Sequence, residues 1–311
     1  MFSRPGERPI RKAMRSDVRA LHDTVVPVEG YDGLKTRLLC GELERFGRSL
    51  EWIDPHPGGS LLDLGACGDL VPAYHAALGY RHIVCVTDAG PEGRQRLTHR
   101  DGSIYEFDLY RLDLEREPYP FPDAEFDQVV AMEVIEHLAV DPMFMLAEAN
   151  RVLKPGGRLL LTTPNINSLA CLYHQLWGRH PALGVQAFGP GIMDRHHREY
   201  SPREIRDALS AAGFAVQRLD TFDPAPPNES IRRTGSLLKV LSWLKPGIDT
   251  TLRGSVIRSA CVKKGGVAER FPRTLYPRYP YYDYAAYDRA LTERFGGRRY
   301  WQTDVHPAAT A

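Results

Sequence analysis

The stretch LLDLGACGD, residues Leu61 to Asp69, decides the fold. Its first four residues form a short apolar run interrupted by one acid, which predicts a buried strand. Gly65 and Gly68 follow at once, and glycine permits a tight turn and a close approach of the backbone to a ligand. A strand that leads into a glycine turn is typical of nucleotide-binding α/β proteins, with NAD as one candidate ligand.

Apolar runs of strand length alternate with helical patterns on either side of that turn. The predicted strands lie at 60–65, 82–88, 107–113, 126–132, 157–163, 215–222 and 255–264. The predicted helices lie at about 33–52, 70–80, 133–153 and 201–214. Ser201 and Glu204 form a capping-box pattern at the start of the last helix. This alternation predicts a doubly wound, mostly parallel α/β sheet of seven strands, with a ligand site beyond the carboxyl ends of the strands.

Composition excludes several classes of protein. Lys and Arg number 40 against 39 Asp and Glu, so no net positive field favours nucleic acid as a partner. The five cysteines are scattered without a CxxC pair, which predicts neither a disulfide framework nor a zinc site and favours a reducing, cytoplasmic setting. No apolar run approaches the roughly 20 residues of a membrane span, so no transmembrane segment is predicted.

Several linked segments carry a family resemblance. LDLGACGD, VTDAG, LDLEREPYPFPDAEFDQVVAMEVIEHL and NRVLKPGGRLLLTTPN resemble, in order and spacing, the signature segments of class I S-adenosylmethionine-dependent methyltransferases. The resemblance covers about Ser60 to Asp220 and implies a Rossmann-like methyltransferase fold that binds S-adenosyl-L-methionine. The chain departs from the family's Asp-x-Gly-x-Gly-x-Gly pattern after Gly65, since Gly68 stands out of register.

The resemblance implies a cofactor site built from residues at strand ends: Asp63, Gly65, Gly68, Asp88, Asp113, Leu114 and Met132. Within that site Asp88 would hold the ribose hydroxyls, and Asp113 would face the adenine amino group. The alternative role for Asp113 is a surface acid that ends a strand.

The domain organisation follows from the same resemblance. A helical or irregular extension is predicted over 1–52, the cofactor-binding domain over 53–264, and an aromatic-rich tail over 265–311. Two insertions near 165–199 and 224–250 are predicted to act as lids. The second insertion contains an amphipathic segment that could touch a membrane surface, although packing on its own domain or on another subunit is the commoner role. A homodimer is one alternative for the aromatic tail.

The segment MEVIEHL carries the candidate chemistry. Glu133, Glu136 and His137 stand at i, i+3 and i+4, so a helix that begins at the strand end would place them on one face. Two carboxylates and an imidazole suit an oxygen-preferring divalent ion such as Mg²⁺ or Mn²⁺. If no metal binds, His137 is the candidate general base.

This E-x-x-E-H pattern resembles one in metal-dependent O-methyltransferases, including ubiquinone-pathway catechol methylases and small-RNA 2′-O-methyltransferases. In those enzymes a later histidine joins the site, and His197 matches its position better than His196. The resemblance therefore implies that Glu133, Glu136, His137 and His197 bind the metal. The predicted function is O-methylation of a small-molecule, sugar or glycan hydroxyl; the alternatives are an RNA 2′-O-methyltransferase and a non-catalytic cofactor-binding or scaffold protein.

Overall fold

A computed structural model describes residues 18–88, 90–182, 195–245 and 249–294. Its strands are β1 (Ser60–Leu64), β2 (His82–Thr87), β3 (Gly93–Thr98), β4 (Ile104–Arg111), β5 (Phe126–Met132), β6 (Leu153–Pro164), β7 (Phe214–Phe222) and β8 (Val256–Lys263). Its helices are α1 (Val18–Val25), α2 (Gly33–Leu50), α3 (Val71–Ala76), α4 (Pro142–Val152), α5 (Leu169–Leu176), α6 (Pro202–Ala211), α7 (Glu229–Leu244) and α8 (Tyr284–Arg294), with a 3₁₀ turn at Ile135–His137.

The eight strands form one mixed sheet in the order β3-β4-β2-β1-β5-β6-β8-β7. The five central strands from β4 to β6 are parallel, so their carboxyl ends meet at one edge. β8 runs antiparallel between β6 and β7, and β3 pairs antiparallel with β4 at the far edge. The doubly wound α/β prediction is confirmed, whereas the predicted seven strands become eight.

The additional strand is β3, whose sequence GRQRLT contains a single large apolar residue. Its side chains are exposed or half-buried because β3 is an edge strand, and its single leucine, Leu97, packs at the margin of the core. A strand of this kind needs no apolar alternation, which explains why its sequence does not predict it.

The core consists of two layers, one on each face of the sheet. Leu61 packs in the layer that includes Leu39 and Leu43 of α2, while Leu62 packs in the layer formed with α4 and α6. Adjacent side chains of a strand point to opposite faces, so helices cover both faces of the sheet. The N-terminal helices thus belong to the core of the sheet, and the domain boundaries predicted at 52 and 264 stay predictions.

The predicted helix over 133–153 is wrong in its first half. Glu133 has φ +57°, outside the right-handed helical region, and only the single 3₁₀ turn at Ile135–His137 follows it. The α-helix α4 begins at Pro142. Proline suits the first position of a helix, because the backbone N–H that it lacks would have no partner within the helix. In contrast, α6 begins as predicted, with Ser201 and Glu204 forming a complete capping box.

Both predicted insertions contain a helix. α5 follows β6 and packs against α7, where a Cβ on Gly235 would lie 3.0 Å from Leu169 Cδ1. Residues 183–194 and 246–248 of the predicted lids lie outside the described residues. Among the helices described, none combines the length and apolar character needed to cross a bilayer.

Candidate active site

The turn after β1 depends on two glycines in the left-handed backbone region. Gly65 has φ +74°, and a Cβ there would lie 2.6 Å from Val134 Cγ2. Gly68 has φ +94°, and a Cβ there would lie 2.3 Å from Phe107 Cζ. Backbone conformation and packing therefore exclude a side chain at both positions, so the unusual spacing still produces a glycine turn at the carboxyl end of β1.

Asp63 lies within β1 beneath this turn. It is 3% exposed, and its carboxylate accepts a hydrogen bond of 2.8 Å from the Tyr74 hydroxyl of α3. Burial raises the pKa of Asp63 to about 7, although the bond from Tyr74 acts in the opposite direction. Asp63 thus joins α3 to β1, and its contact with a cofactor stays a prediction.

Two further acids end neighbouring strands. Asp88 follows β2, is exposed, and makes no hydrogen bond among the described residues. Asp113 follows β4 and accepts a hydrogen bond of 2.9 Å from the backbone N–H of Glu115, while Leu114 between them is buried. Asp88 is therefore the carboxylate most open to a ribose diol, and Asp113 already stabilises a turn.

Helix α2 and the residues just before it contact the end of the glycine turn. Lys35 Nζ lies 2.5 Å from Asp69 Oδ1 at the end of the glycine turn, and the Tyr31 hydroxyl donates to the same oxygen at 3.3 Å. These contacts fix the turn from outside the sheet.

Glu133 directly follows Met132 at the end of β5, on the other side of the cleft. Its Oε1 accepts a hydrogen bond of 2.8 Å from Thr162 and lies 3.8 Å from Nη1 of Arg45, a residue of α2. Burial raises the pKa of Glu133, whereas the Arg45 cation and the Thr162 hydroxyl lower it. Glu133 therefore already has a cationic neighbour.

Glu136 lies in the 3₁₀ turn and is completely buried. Thr163 donates to its Oε2 at 2.8 Å, but its Oε1 has no hydrogen-bond partner among the described residues. That oxygen lies 4.0 Å from Nε2 of His137. Burial, and after it the negative charge of Glu133, raise the pKa of Glu136 well above its ordinary value. A buried carboxylate oxygen without a donor favours a proton or a cation beside it.

His196 joins this turn. Its ring packs edge-on against the ring of His137 with centroids 4.8 Å apart, and its Nδ1 lies 3.3 Å from Glu199 Oε1. One ligand atom each from Glu136, His137 and His196 lies within 4.8 Å of the others. The described residues thus bring together one carboxylate and two imidazoles that could hold a metal ion.

The position of His197 differs from the sequence prediction. Its side chain is exposed, while its backbone N–H and that of Arg198 donate to the Glu136 carbonyl at 2.8 and 3.2 Å. These two bonds fix the position of the loop. As a result His196, and not His197, lies beside His137.

Comparison with protein families agrees with this geometry. A family model described as a methyltransferase domain matches residues 31–219, which is more than half of the chain. The chain belongs to this family, the class I S-adenosylmethionine-dependent methyltransferases.

Individual relatives are consistent with that assignment. The methyltransferase is 32% identical over 174 residues to the ubiquinone biosynthesis O-methyltransferase of Maricaulis maris, covering 56% of this chain and 65% of that protein. It is 30% identical over 212 residues to the protein of the same name from Ruegeria pomeroyi, covering 67% of this chain and 74% of that one. It spans 65% of the length of the Maricaulis protein, and 46% and 50% of the lengths of two further matched relatives.

Solved structures include the S-adenosylmethionine-dependent methyltransferase of Mesorhizobium loti. It shares 15% identity with this chain at a TM-score of 0.44, covering 70% of this methyltransferase and 97% of that one.

Two buried carboxylates hold the loop that follows His137. The buried Glu115 carboxylate accepts hydrogen bonds of 3.0, 2.5 and 2.7 Å from the backbone N–H groups of residues 139, 140 and 141. The buried Asp141 pairs with Arg270 and accepts a 2.6 Å hydrogen bond from the Tyr276 hydroxyl. Residues 270 and 276 therefore fix the loop that follows His137, although they are far from it in sequence.

The segment around these two residues forms a groove beside that loop. The groove has a volume of about 540 Å³ and is rich in aromatic side chains; it is lined by Leu138, Val140, His197, Phe271, Tyr276, Tyr279, Tyr282 and Tyr287 among others. It adjoins the turn that carries Glu136 and His137, since Leu138 directly follows His137.

Several site residues are not among those predicted from the sequence. Arg45 and Lys35 reach the cleft from α2, where no local pattern indicates it. Thr162 and Thr163 could have been found, because the polar pair TT ends an apolar strand at the ligand-binding edge of the sheet.

Proposed function

We propose that this methyltransferase transfers a methyl group to a hydroxyl of a small-molecule, sugar or glycan acceptor. The observation that carries the proposal is the cluster of Glu136, His137 and His196 beside the glycine turn, with a buried carboxylate oxygen next to an imidazole. The relatives named as O-methyltransferases support the same chemistry.

Bound S-adenosylmethionine supplies a methyl group on a positively charged sulfur. The chain must then hold an acceptor oxygen in line with that methyl group and remove its proton, because a sugar hydroxyl is a very weak acid. His137 is the candidate base: its Nε2 lies 4.0 Å from Glu136 Oε1, which would stabilise the imidazolium after proton transfer. The ring of His196 packs against the ring of His137, and His196 in turn lies within hydrogen-bond distance of Glu199.

A metal ion also fits these residues. Glu136 Oε1 lacks a donor, and the two imidazoles lie close enough to share one ion with it. A set of one carboxylate and two imidazoles suits Mn²⁺ and other transition ions better than Mg²⁺, which prefers oxygen ligands. Such an ion would act as a Lewis acid that lowers the pKa of the acceptor hydroxyl. Glu133, which Arg45 and Thr162 already engage, lies outside this ligand group among the described residues.

The acceptor class is tested with labelled S-adenosylmethionine and a panel of sugars, nucleotide sugars, phenols and RNA. Label should enter hydroxyl-bearing small molecules or glycans. Transfer to RNA alone would favour the RNA methyltransferase alternative, and failure to bind the cofactor would favour a scaffold protein.

The metal is tested on the same acceptor. Chelation with EDTA should abolish turnover while leaving cofactor affinity unchanged, and Mn²⁺ should restore turnover. Glu136→Gln should raise the Mn²⁺ concentration needed for half-maximal activity, because a neutral amide is a weaker ligand than a carboxylate. Glu106→Gln, which removes an exposed acid of β4, is the matched control. Full activity of the chelated wild type would leave His137 as the base without a metal.

A further inference from the structure

The helix pair α5 and α7 presents an apolar surface to solvent. Its exposed large apolar side chains are Leu176, Trp177, Leu237, Val240, Leu241, Trp243 and Leu244. Trp177 is 68% and Trp243 83% exposed. We call these seven residues the tryptophan face. Several large apolar side chains exposed on two packed helices indicate an interaction surface.

The tryptophan face results from the orientation of α7. Leu237, Val240, Leu241 and Leu244 stand at i, i+3, i+4 and i+7 and therefore lie on one side of the helix. The adjacent side of α7 packs on the protein through the buried Thr234 and Leu238, and through Gly235 against Leu169. An amphipathic helix normally turns its apolar side towards the core, but α7 turns this side outward.

The charged residues of α7 are mostly cations. α7 and its C-cap carry Arg232, Arg233, Lys239 and Lys245, against the single acid Glu229. That acid already pairs with Arg233 at 2.5 Å, at the end of the helix farthest from Trp243. The segment 169–182 adds Arg179 and contains no acid. The surface therefore combines tryptophan and leucine with Lys239 and Lys245, for which the described part of the chain offers no ion-pair partner.

We propose that the tryptophan face binds the surface of a membrane that contains anionic lipid. Tryptophan is enriched at the boundary between headgroups and acyl chains, leucine side chains enter the acyl layer, and nearby lysines attract anionic headgroups. Two copies of the chain joined through this face would instead bring the same cations together, so the charge pattern favours lipid over a second copy.

The location of the face gives the contact a consequence for the cleft. α5 follows β6, whose last residues include Thr162 and Thr163, the donors to Glu133 and Glu136. A membrane bound to α5 and α7 would therefore contact a helix that directly follows the strand bearing these two donors. This inference goes beyond the proposed O-methylation, and its test does not depend on any acceptor.

The test is flotation of the purified full-length chain with vesicles. Vesicles of phosphatidylcholine with 30% phosphatidylglycerol, taken at roughly the anionic content of a bacterial membrane, are compared with pure phosphatidylcholine. The chain should float with the anionic vesicles, and Trp243→Gln/Leu244→Gln should abolish the flotation. Ile104→Gln, at an exposed apolar position on β4, should float like the wild type.

A second variant tests the electrostatic part. Lys239→Ala/Lys245→Ala should lower the partition coefficient on anionic vesicles about thirtyfold, from about fivefold per cation, and 0.5 M salt should weaken binding of the wild type. Circular dichroism melts compare folding across the variants. The proposal would be overturned if the wild type floated with neither kind of vesicle. It would also be overturned if Trp243→Gln/Leu244→Gln floated with the anionic vesicles as well as the wild type does. A concentration-dependent dimer, detected by sedimentation, that does not bind vesicles and that Trp243→Gln/Leu244→Gln dissociates would likewise overturn it.

Discussion

The two sides of the cleft are built in different ways. The glycine turn of the cofactor side lies within one short segment, Leu61–Asp69, whose two glycines have φ values that other residues rarely adopt. The acceptor side gathers Glu136, His137 and His196 from separate segments, and its loop is held by Asp141. One side is specified locally and the other through long-range contacts, so substitutions on the two sides should affect different measurements.

The largest expected effect separates catalysis from cofactor binding. His137→Ala should lower kcat by about 10²–10⁴-fold, because it removes the candidate base and one candidate metal ligand, while cofactor affinity stays within a factor of two to three. Turnover assays and calorimetry measure the two quantities. A parallel loss of cofactor affinity would show that the two sides are not independent.

A second effect belongs to the cofactor side and concerns stability against pH. Since the folded-state pKa of Asp63 is about 7 and its unfolded value is 3.8, the folded state binds the extra proton between these values. The contribution of the protonated Asp63 is therefore complete below about pH 4 and is lost as pH rises towards 7, by at most about 4 kcal/mol.

Asp63→Asn keeps an acceptor for Tyr74 but cannot ionise. Its free energy of unfolding relative to the wild type should therefore rise from pH 4 to pH 7 and stay level above pH 7. Urea denaturation of the ligand-free protein at several pH values measures the difference. A difference that does not change with pH would mean that Asp63 keeps an ordinary pKa.

A third prediction concerns ligand affinity on the cofactor side. Asp88→Ala should weaken binding of S-adenosylmethionine about tenfold to a hundredfold, because it removes a charged acceptor for the ribose hydroxyls. Unfolding should be little affected, since Asp88 is exposed. Calorimetry with unchanged affinity would exclude Asp88 from the site, and Asp113→Ala is the comparison for the adenine end.

A fourth prediction tests the long-range contacts of the acceptor side, where the expected effect on catalysis is the smallest. Tyr276→Phe removes the 2.6 Å hydrogen bond to the buried Asp141 and should cost about 1.5–3 kcal/mol of stability. It should also reduce kcat by less than His137→Ala, with unchanged cofactor affinity. Tyr281→Phe is the matched control, because Tyr281 is 73% exposed. Equal effects of the two substitutions would remove Asp141 from the support of this loop.

The same contrast explains how much could be predicted from the sequence. The strand that contains Asp63 and the glycine turn after it were predicted correctly, because local conformation specifies them. The helix expected at Glu133 was wrong because its φ of +57° and the start of α4 at Pro142 leave only a 3₁₀ turn between them. Neither Arg45 beside Glu133 nor the choice of His196 over His197 could be predicted, since both depend on how distant segments meet.

The link between Asp141 and Arg270 also bears on the order in which the molecule is completed. All strands of the sheet precede Arg270 in the chain, so during synthesis the sheet can assemble while the loop after His137 still lacks its partners. The buried Asp141 then lacks the cation of Arg270 and the hydroxyl donor of Tyr276 until these two residues emerge. The residues that hold the loop after His137 are thus made later than all the described strands, and a nascent chain should form the glycine turn before it acquires catalytic competence.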